Sequence, residues 1–389
     1  MNGVSVWTEL TGQDAAIDVF RAAAGAAPAG DDGMTHAWLI TGPPGSGRSN
    51  LALAFATALL SGDADGEPTT IAQVDAGSHP DLHVVSTQGV IISIDTLRTV
   101  VERSHYSPSV APYRVVVIED ADRMTERSSN VLLKELEEPP PRTVWILCAP
   151  SEADLLPTIR SRVRTVRLRV PSVADVAALL VRRDGVDPAL AERCAREAQS
   201  HIGMALRLAT SEEARARREE TLRAALGVRS TRDAVLGAAR MLEIAGDDAK
   251  AITAERDAEE REHALRSLGV APGQAVPAAL RSQIKALEDD QKRRATRSLR
   301  DGIDRILVDL SSLYRDVLLL QVGAEIDLVN VELRPELDRA AEAASPAQTL
   351  ATLDAIALAR ERIEGNVAPA LALESMLVSA ARGRAEARR

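Results

Sequence analysis

Eight residues constrain the fold of this chain more than any others. Gly42-Pro43-Pro44-Gly45-Ser46-Gly47-Arg48-Ser49 lies between the apolar run Trp38-Leu39-Ile40 and an alanine- and leucine-rich segment from Leu51 to Leu60. The pattern predicts a strand, a glycine loop and a helix. Its spacing, glycine, four residues, glycine, a basic residue and serine, is that of a phosphate-binding loop, in which backbone N–H groups curl around phosphate at a helix N-terminus and the serine hydroxyl reaches Mg²⁺. One position departs from the pattern: Arg48 stands where the phosphate-reaching lysine belongs. A planar guanidinium fork distributes charge differently from a compact ammonium, so phosphate contact survives the exchange but charge around a γ-phosphate is misplaced.

A second stretch fits the first. Arg114-Val115-Val116-Val117-Ile118-Glu119-Asp120 is a β-branched run ending in two acids, as in a strand buried on both faces of a parallel sheet. Open α/β sheets place ligands at such strand ends, where one acid helps to hold Mg²⁺ and the next orients the attacking water. Here the usual order, Asp then Glu, is inverted. Each side chain would miss its position by about one methylene, and errors of ~1 Å can cost ~100-fold in rate. A strand end capped by two acids with no catalytic part stands as the alternative.

Elsewhere the pattern predicts helices over Ala15 to Ala24, Thr96 to Ser104 (with Asp95 as N-cap) and Thr125 to Glu138, the last stopped by Pro139-Pro140-Pro141. Val90-Ile91-Ile92 reads as a short strand, Thr143 to Leu147 as a buried one and Val163 to Val170 as half-exposed. Gly25 to Gly33 and Ser61 to Asp81 are weakly patterned. Strands alternating with helices after a phosphate loop imply a three-layer α/β domain with a parallel sheet over residues 1–170.

Beyond Pro171 the strand signal stops. Helices capped by Ser172, opened by Pro188 and started at His201 make a small helical module over 171–210, and residues 211–389 read as an all-α domain. The hydrophobic fraction is 45% with only 2% aromatics, so the cores are built of Ala, Leu, Val and Ile. Ala251 to Arg266 and Lys285 to Arg300 interleave charges of both signs, which suits solvated helix faces. Lys292-Arg293-Arg294 is the compact cationic cluster there.

The net charge of −10 argues against a whole-surface nucleic-acid binder. Two cysteines, Cys148 and Cys194, cannot complete a Cys-rich zinc site and suggest a reducing compartment. No apolar stretch approaches the ~20 residues that span a bilayer, and no signal sequence is expected, which together read as a cytoplasmic protein.

Three further blocks carry a family resemblance: Val115 to Met124, Asn130-Val131-Leu132-Leu133-Lys134-Glu135-Leu136-Glu137-Glu138-Pro139-Pro140, and Leu155-Leu156-Pro157-Thr158-Ile159-Arg160-Ser161-Arg162. Their order and spacing relative to the loop resemble the AAA+ module of bacterial DNA polymerase III clamp-loader subunits, most of all their delta-prime branch. The likeness continues at Leu313-Tyr314-Arg315-Asp316-Val317-Leu318 and Asn366-Val367-Ala368-Pro369-Ala370-Leu371-Ala372-Leu373-Glu374, segments typical of the family's helical collar.

The resemblance implies an AAA+ P-loop domain, a helical lid and a C-terminal collar that joins a ring with gamma/tau and delta subunits, acting on a sliding clamp and primed DNA. It assigns a degenerate ATP/Mg²⁺ site, weak or vestigial, to Gly42, Gly45, Ser46, Gly47, Arg48, Ser49, Asn50, Glu119 and Asp120. From the family's Ser-Arg-Cys motif it carries an arginine finger, acting on a neighbour's ATP site, to Arg162 of Ser161-Arg162-Val163.

Three departures weaken this chain's own site. Ala149-Pro150 replaces the polar sensor after the Val144 to Leu147 strand, with only Ser151 adjacent. The second sensor's arginine, due three residues after Gly203, is Leu206, with Arg207 displaced by one. The family's four-cysteine zinc module is missing before Gly77-Ser78-His79-Pro80-Asp81, so no zinc is expected and His79 and His83 read as ordinary loop residues. The chain is therefore expected to contribute to a polymerase holoenzyme without turning over ATP alone. A self-sufficient gamma/tau-type motor and a nucleotide-gated interaction protein outside replication are the alternatives.

Overall fold

The computed structural model describes residues 5–8, 10–26, 35–86, 91–267, 277 and 281–386. The chain divides into two compact units, Met1–Thr210 and Ser211–Arg389.

The first unit is built on a parallel five-stranded sheet in the order β2-β3-β4-β1-β5. Its strands are β1 (Ala37–Thr41), β2 (Leu82–Val85), β3 (Arg114–Ile118), β4 (Thr143–Ala149) and β5 (Arg164–Arg167). β1 and β4 are buried along their whole length, because side chains of alternate residues enter two separate cores. Trp38, Ile40, Val115, Val117, Val144 and Ile146 pack with α1 (Asp14–Ala26) and α2 (Arg48–Ser61). Leu39, Val116, Ile118, Trp145 and Leu147 pack on the other face with Leu97 and Val100 of α4 (Ile94–Ser104) and Leu132 and Leu136 of α5 (Glu126–Glu137). This is a three-layer α/β architecture with a parallel sheet between two helical layers.

Several local expectations are corrected. The stretch from Ser61 to Asp81 contains α3 (Pro68–Asp75), opened by proline at its first turn, and leads into β2, so His83 lies in a strand and not a loop. The N-cap of α4 is Ser93, whose hydroxyl accepts from the Thr96 N–H, and Asp95 lies one residue inside the helix. Val90 lies outside the described residues. Ile92 makes only an isolated bridge to Met124, so the strand expected there does not form across Ile91 and Ile92. β5 keeps only the middle of the predicted Val163 to Val170 segment.

Three helices complete the unit after a short turn, α6 (Pro157–Arg160). Ser172 and Asp175 form a capping box at the start of α7 (Val173–Asp184), and Asp187 caps α8 (Pro188–Glu197). α8 ends at Glu197, and Gln199 and Ser200 take left-handed backbone angles before α9 (Ile202–Thr210).

The second unit is helical among its described residues. It comprises α10 (Glu212–Gly227), α11 (Thr231–Ser267), α12 (Arg281–Val322), α13 (Arg334–Ala343), α14 (Pro346–Glu364) and α15 (Pro369–Glu386). A leucine, alanine and isoleucine core around Leu307, Leu310, Leu313, Leu373 and Leu377 holds these helices together. The mixed-charge segments lie on α11 and α12, where they pair with each other: Arg261 with Glu288, and Arg294 with both Glu260 and Asp257.

Candidate functional site

β1 delivers the chain to Gly42, whose N–H donates to the Pro150 carbonyl just past β4 (3.2 Å). The loop and the end of β4 are thereby tied together. Gly45 and Gly47 have φ of 79° and 90°, a region that side-chain-bearing residues rarely adopt. Gly47 is the N-cap of α2 and offers no side-chain acceptor, so the first-turn N–H groups of Arg48, Ser49 and Asn50 remain available at the positive end of the helix dipole. The Ser46 hydroxyl is buried without a hydrogen-bond partner, facing Gly42 closely enough that a Cβ there would lie 2.7 Å from it. This cradle fits a phosphate group.

The groups that would act on that phosphate are arranged otherwise. Arg48 Nη1 donates to the Gly42 carbonyl at 2.6 Å, so its guanidinium is drawn back onto the loop. Glu119 and Asp120 follow β3 at the same edge of the sheet and, with Arg48, form the electrostatic surroundings of Cys148 on β4. Burial pushes the Cys148 thiol up to about 12; the two acids reinforce that shift and Arg48 opposes it. Asp122, to which the sequence assigns no role, belongs to this group. Its carboxyl is raised chiefly by burial and further by Asp120, against its own backbone N–H, Arg123 and Arg48. The second acid of Asp120-Ala121-Asp122 was the available signal.

The replaced sensors contribute little polar chemistry. Ala149 is buried, and Ser151 is consumed in a capping box with Asp154. Leu206 lies half-buried on α9 with Arg207 beside it. The turn before α9 also reaches the loop. The His201 ring lies so close to Gly45 that a Cβ there would meet it at 2.2 Å, and the Ile202 N–H donates to the Gly45 carbonyl at 3.3 Å. Gln13 Nε2 donates to the carbonyls of Arg169 (2.8 Å) and Ser46 (3.4 Å), which stitches the N-terminal approach to the loop.

Arg162 lies elsewhere. Register aligns Arg164 on β5 with Trp38 on β1, and the loop begins four residues after Trp38 while Arg162 precedes Arg164 by two. At ~3.3 Å per residue the loop begins roughly 13 Å beyond the level of Arg164 along the strands, and Arg162 precedes Arg164 in the turn after α6, toward the opposite end of the sheet. Val163 packs against the core containing Ile159, and the Arg162 side chain, 32% exposed, pairs with Glu137 at the end of α5.

The Gly77 to Asp81 segment has a structural task. Asp81 is fully buried and accepts from the N–H groups of Ser109, Val110 and Ala111 at 2.7 to 3.0 Å and from Arg114 Nη2 at 3.1 Å. His79 accepts the Asp81 N–H at Nδ1 (3.2 Å), and burial lowers its pKa against the pull of Asp81. Among the described residues, no three His, Cys, Asp or Glu side chains come together as a metal site, and no helix is long and apolar enough to cross a membrane.

With this geometry in place, residues 16–172 match the family described as DNA polymerase III, delta subunit. A DNA polymerase III subunit delta' of Haemophilus influenzae is 37% identical over 36% of the chain and 45% of its own length. That of Bacillus subtilis is 28% identical over 47% of the chain and 56% of its own length. A gamma/tau subunit of Mycobacterium tuberculosis is 29% identical over 38% of the chain and 27% of its own length. The chain thus spans about half the length of the curated delta' relatives it matches. The loop, the strand-end acids and Arg162 all fall inside the matched region, and residues 16–172 are similar to the corresponding part of DNA polymerase III delta' subunits.

Proposed function

We propose that the chain acts as a delta-prime-type subunit of a DNA polymerase III clamp loader, helping to load a sliding clamp onto primed DNA. On this reading residues 1–170 are the AAA+ domain, 171–210 its lid and 211–389 a collar that joins a ring with gamma/tau and delta subunits. The N–H groups around Gly45, Gly47, Arg48 and Ser49 would hold the phosphates of ATP with Mg²⁺, weakly or as a vestige. Bound nucleotide would supply a phosphoryl group for transfer, but Arg48 engaged on Gly42, the inverted Glu119-Asp120 pair, Ala149-Pro150 and Leu206 together argue against turnover at this site.

One observation carries the reading furthest. Arg162 precedes β5 and the loop follows β1, at opposite ends of two neighbouring parallel strands, so a finger at Arg162 would serve a site on another subunit. There its cation would stabilise charge developing on the transferred phosphoryl group, an effect worth 10³–10⁵-fold where such fingers have been removed.

The test is a loader reconstituted with Arg162→Ala. A large loss of ATP hydrolysis at the adjoining site, with assembly intact, is expected; unchanged ATPase and clamp-loading rates would sink the proposal. The intact phosphate cradle and the similarity to a gamma/tau subunit favour one rival, a self-sufficient motor. Hydrolysis on the order of 1 s⁻¹ by the purified chain, abolished by Ser49→Ala, would establish it instead.

A further inference from the structure

Arg162 does not project freely. Its Nε donates to Glu137 Oε1 at 2.7 Å and its Nη2 pairs with the same oxygen. Its Nη1 donates to the Thr158 carbonyl at 2.7 Å and to Ser161 Oγ at 3.0 Å. All three guanidinium nitrogens are therefore engaged within the chain. Four of the five N–H donors are in use, and the adjacent carboxylate offsets the cation that a finger must deliver. Glu137 is the last residue of α5, next to Glu138 and the proline stop, so the helix end places its side chain beside Arg162.

We propose that Glu137 is a positioning residue that parks Arg162 against α5, and that the finger becomes active only when the neighbouring subunit's phosphate displaces this carboxylate. The inference rests on the reading of Arg162 as a finger. Two anions, the Glu137 carboxylate and the phosphate across the interface, compete for one guanidinium. The pair is half-exposed, at 32% and 49% for its two side chains, so its hold is modest. Pairs of this kind restrain a side chain enough to change a rate by about two- to five-fold. A latch of that size suppresses hydrolysis in an incompletely closed ring and yields when phosphate is presented squarely.

The experiment compares reconstituted loaders carrying wild-type chain, Glu137→Gln, Glu137→Asp, Arg162→Ala and the Glu137→Gln/Arg162→Ala double variant. Steady-state ATP hydrolysis is measured without clamp or DNA. Glu137→Gln should raise kcat about two- to five-fold with KM for ATP unchanged, Glu137→Asp should return it toward wild type, and the double variant should match Arg162→Ala alone. An unchanged or lowered kcat in Glu137→Gln overturns the parking role, as does a Glu137→Gln effect that persists without Arg162. If Arg162→Ala itself leaves hydrolysis unchanged, the finger reading fails first and independently.

Discussion

Arg48 Nη1 lies 2.6 Å from the Gly42 carbonyl oxygen, so the cation of the phosphate loop is bonded to the loop's own first residue. A lysine at this position has a narrower, more flexible head that can leave a carbonyl for a phosphate without reorienting a planar fork. Arg48→Lys is therefore expected to tighten ATP binding about ten-fold, equivalent to ~1.4 kcal/mol, as measured by titration with a fluorescent ATP analogue. The isolated chain should still not turn ATP over, because Glu119-Asp120 and Ala149-Pro150 are unchanged. Rapid hydrolysis by this single variant would show that the other departures are harmless.

The contact between His201 and Gly45 yields a second expectation. Alanine at position 45 would have to adopt φ near 79° with its Cβ 2.2 Å from the imidazole, so either the loop strains or the start of α9 lifts away. Strain of this kind costs about 1–3 kcal/mol. Gly45→Ala should lower the melting temperature and expose the Ala198 to Ile202 turn to proteolysis. His201→Ala in the same background should restore part of the loss, and no recovery would mean that backbone strain alone accounts for it.

The central strands were readable from sequence because burial on both faces writes a continuous apolar run, as in Val115-Val116-Val117-Ile118 and Val144-Trp145-Ile146-Leu147. β2 was not, since an edge strand of four residues with His83 and the exposed Val84 carries no such run. Ser93 and Asp95 are both good caps two residues apart. Ser93 has the extended backbone that aims its oxygen at Thr96, a choice that composition does not reveal. For the candidate site, spacing located the loop and the acids. The contacts of Gln13 with Arg169, His201 with Gly45 and Glu137 with Arg162 join residues 25 to 156 positions apart, and only the folded chain brings them together.

Asp81 and Arg114 support a prediction with a definite pH sign. Burial alone would raise the Asp81 pKa, but the N–H groups of Val110, Ser109 and Ala111 together with Arg114 outweigh it and hold the carboxyl below its ordinary 3.8. A carboxylate whose pKa is depressed on folding contributes stability above its unfolded pKa, and that contribution is lost as pH falls through the folded value. Asp81→Asn should therefore cost roughly 3 kcal/mol at pH 7. The gap between variant and wild type should narrow as pH drops below 3.8, read as converging urea midpoints. A gap constant down to pH 2 would remove the carboxylate charge from the account.

In the second unit Asp316 plays a comparable part. It is fully buried on α12 and accepts from the Val329 N–H (3.2 Å), the Asn330 N–H (2.7 Å), Asn330 Nδ2 (2.9 Å) and Arg315 Nη1 (3.2 Å). Asn330 in turn accepts from Arg218 Nη2 at 2.7 Å, which links α10 to the turn between α12 and α13. Removing the carboxylate leaves these buried donors unsatisfied, at about 1–3 kcal/mol each for those that water cannot reach. Asp316→Ala should therefore speed amide exchange at Val329 and Asn330 by at least ten-fold, while the amides of Leu307 and Leu310 in the helical core keep their protection. Equal loss of protection at all four positions would mean that Asp316 supports the whole bundle and not this turn.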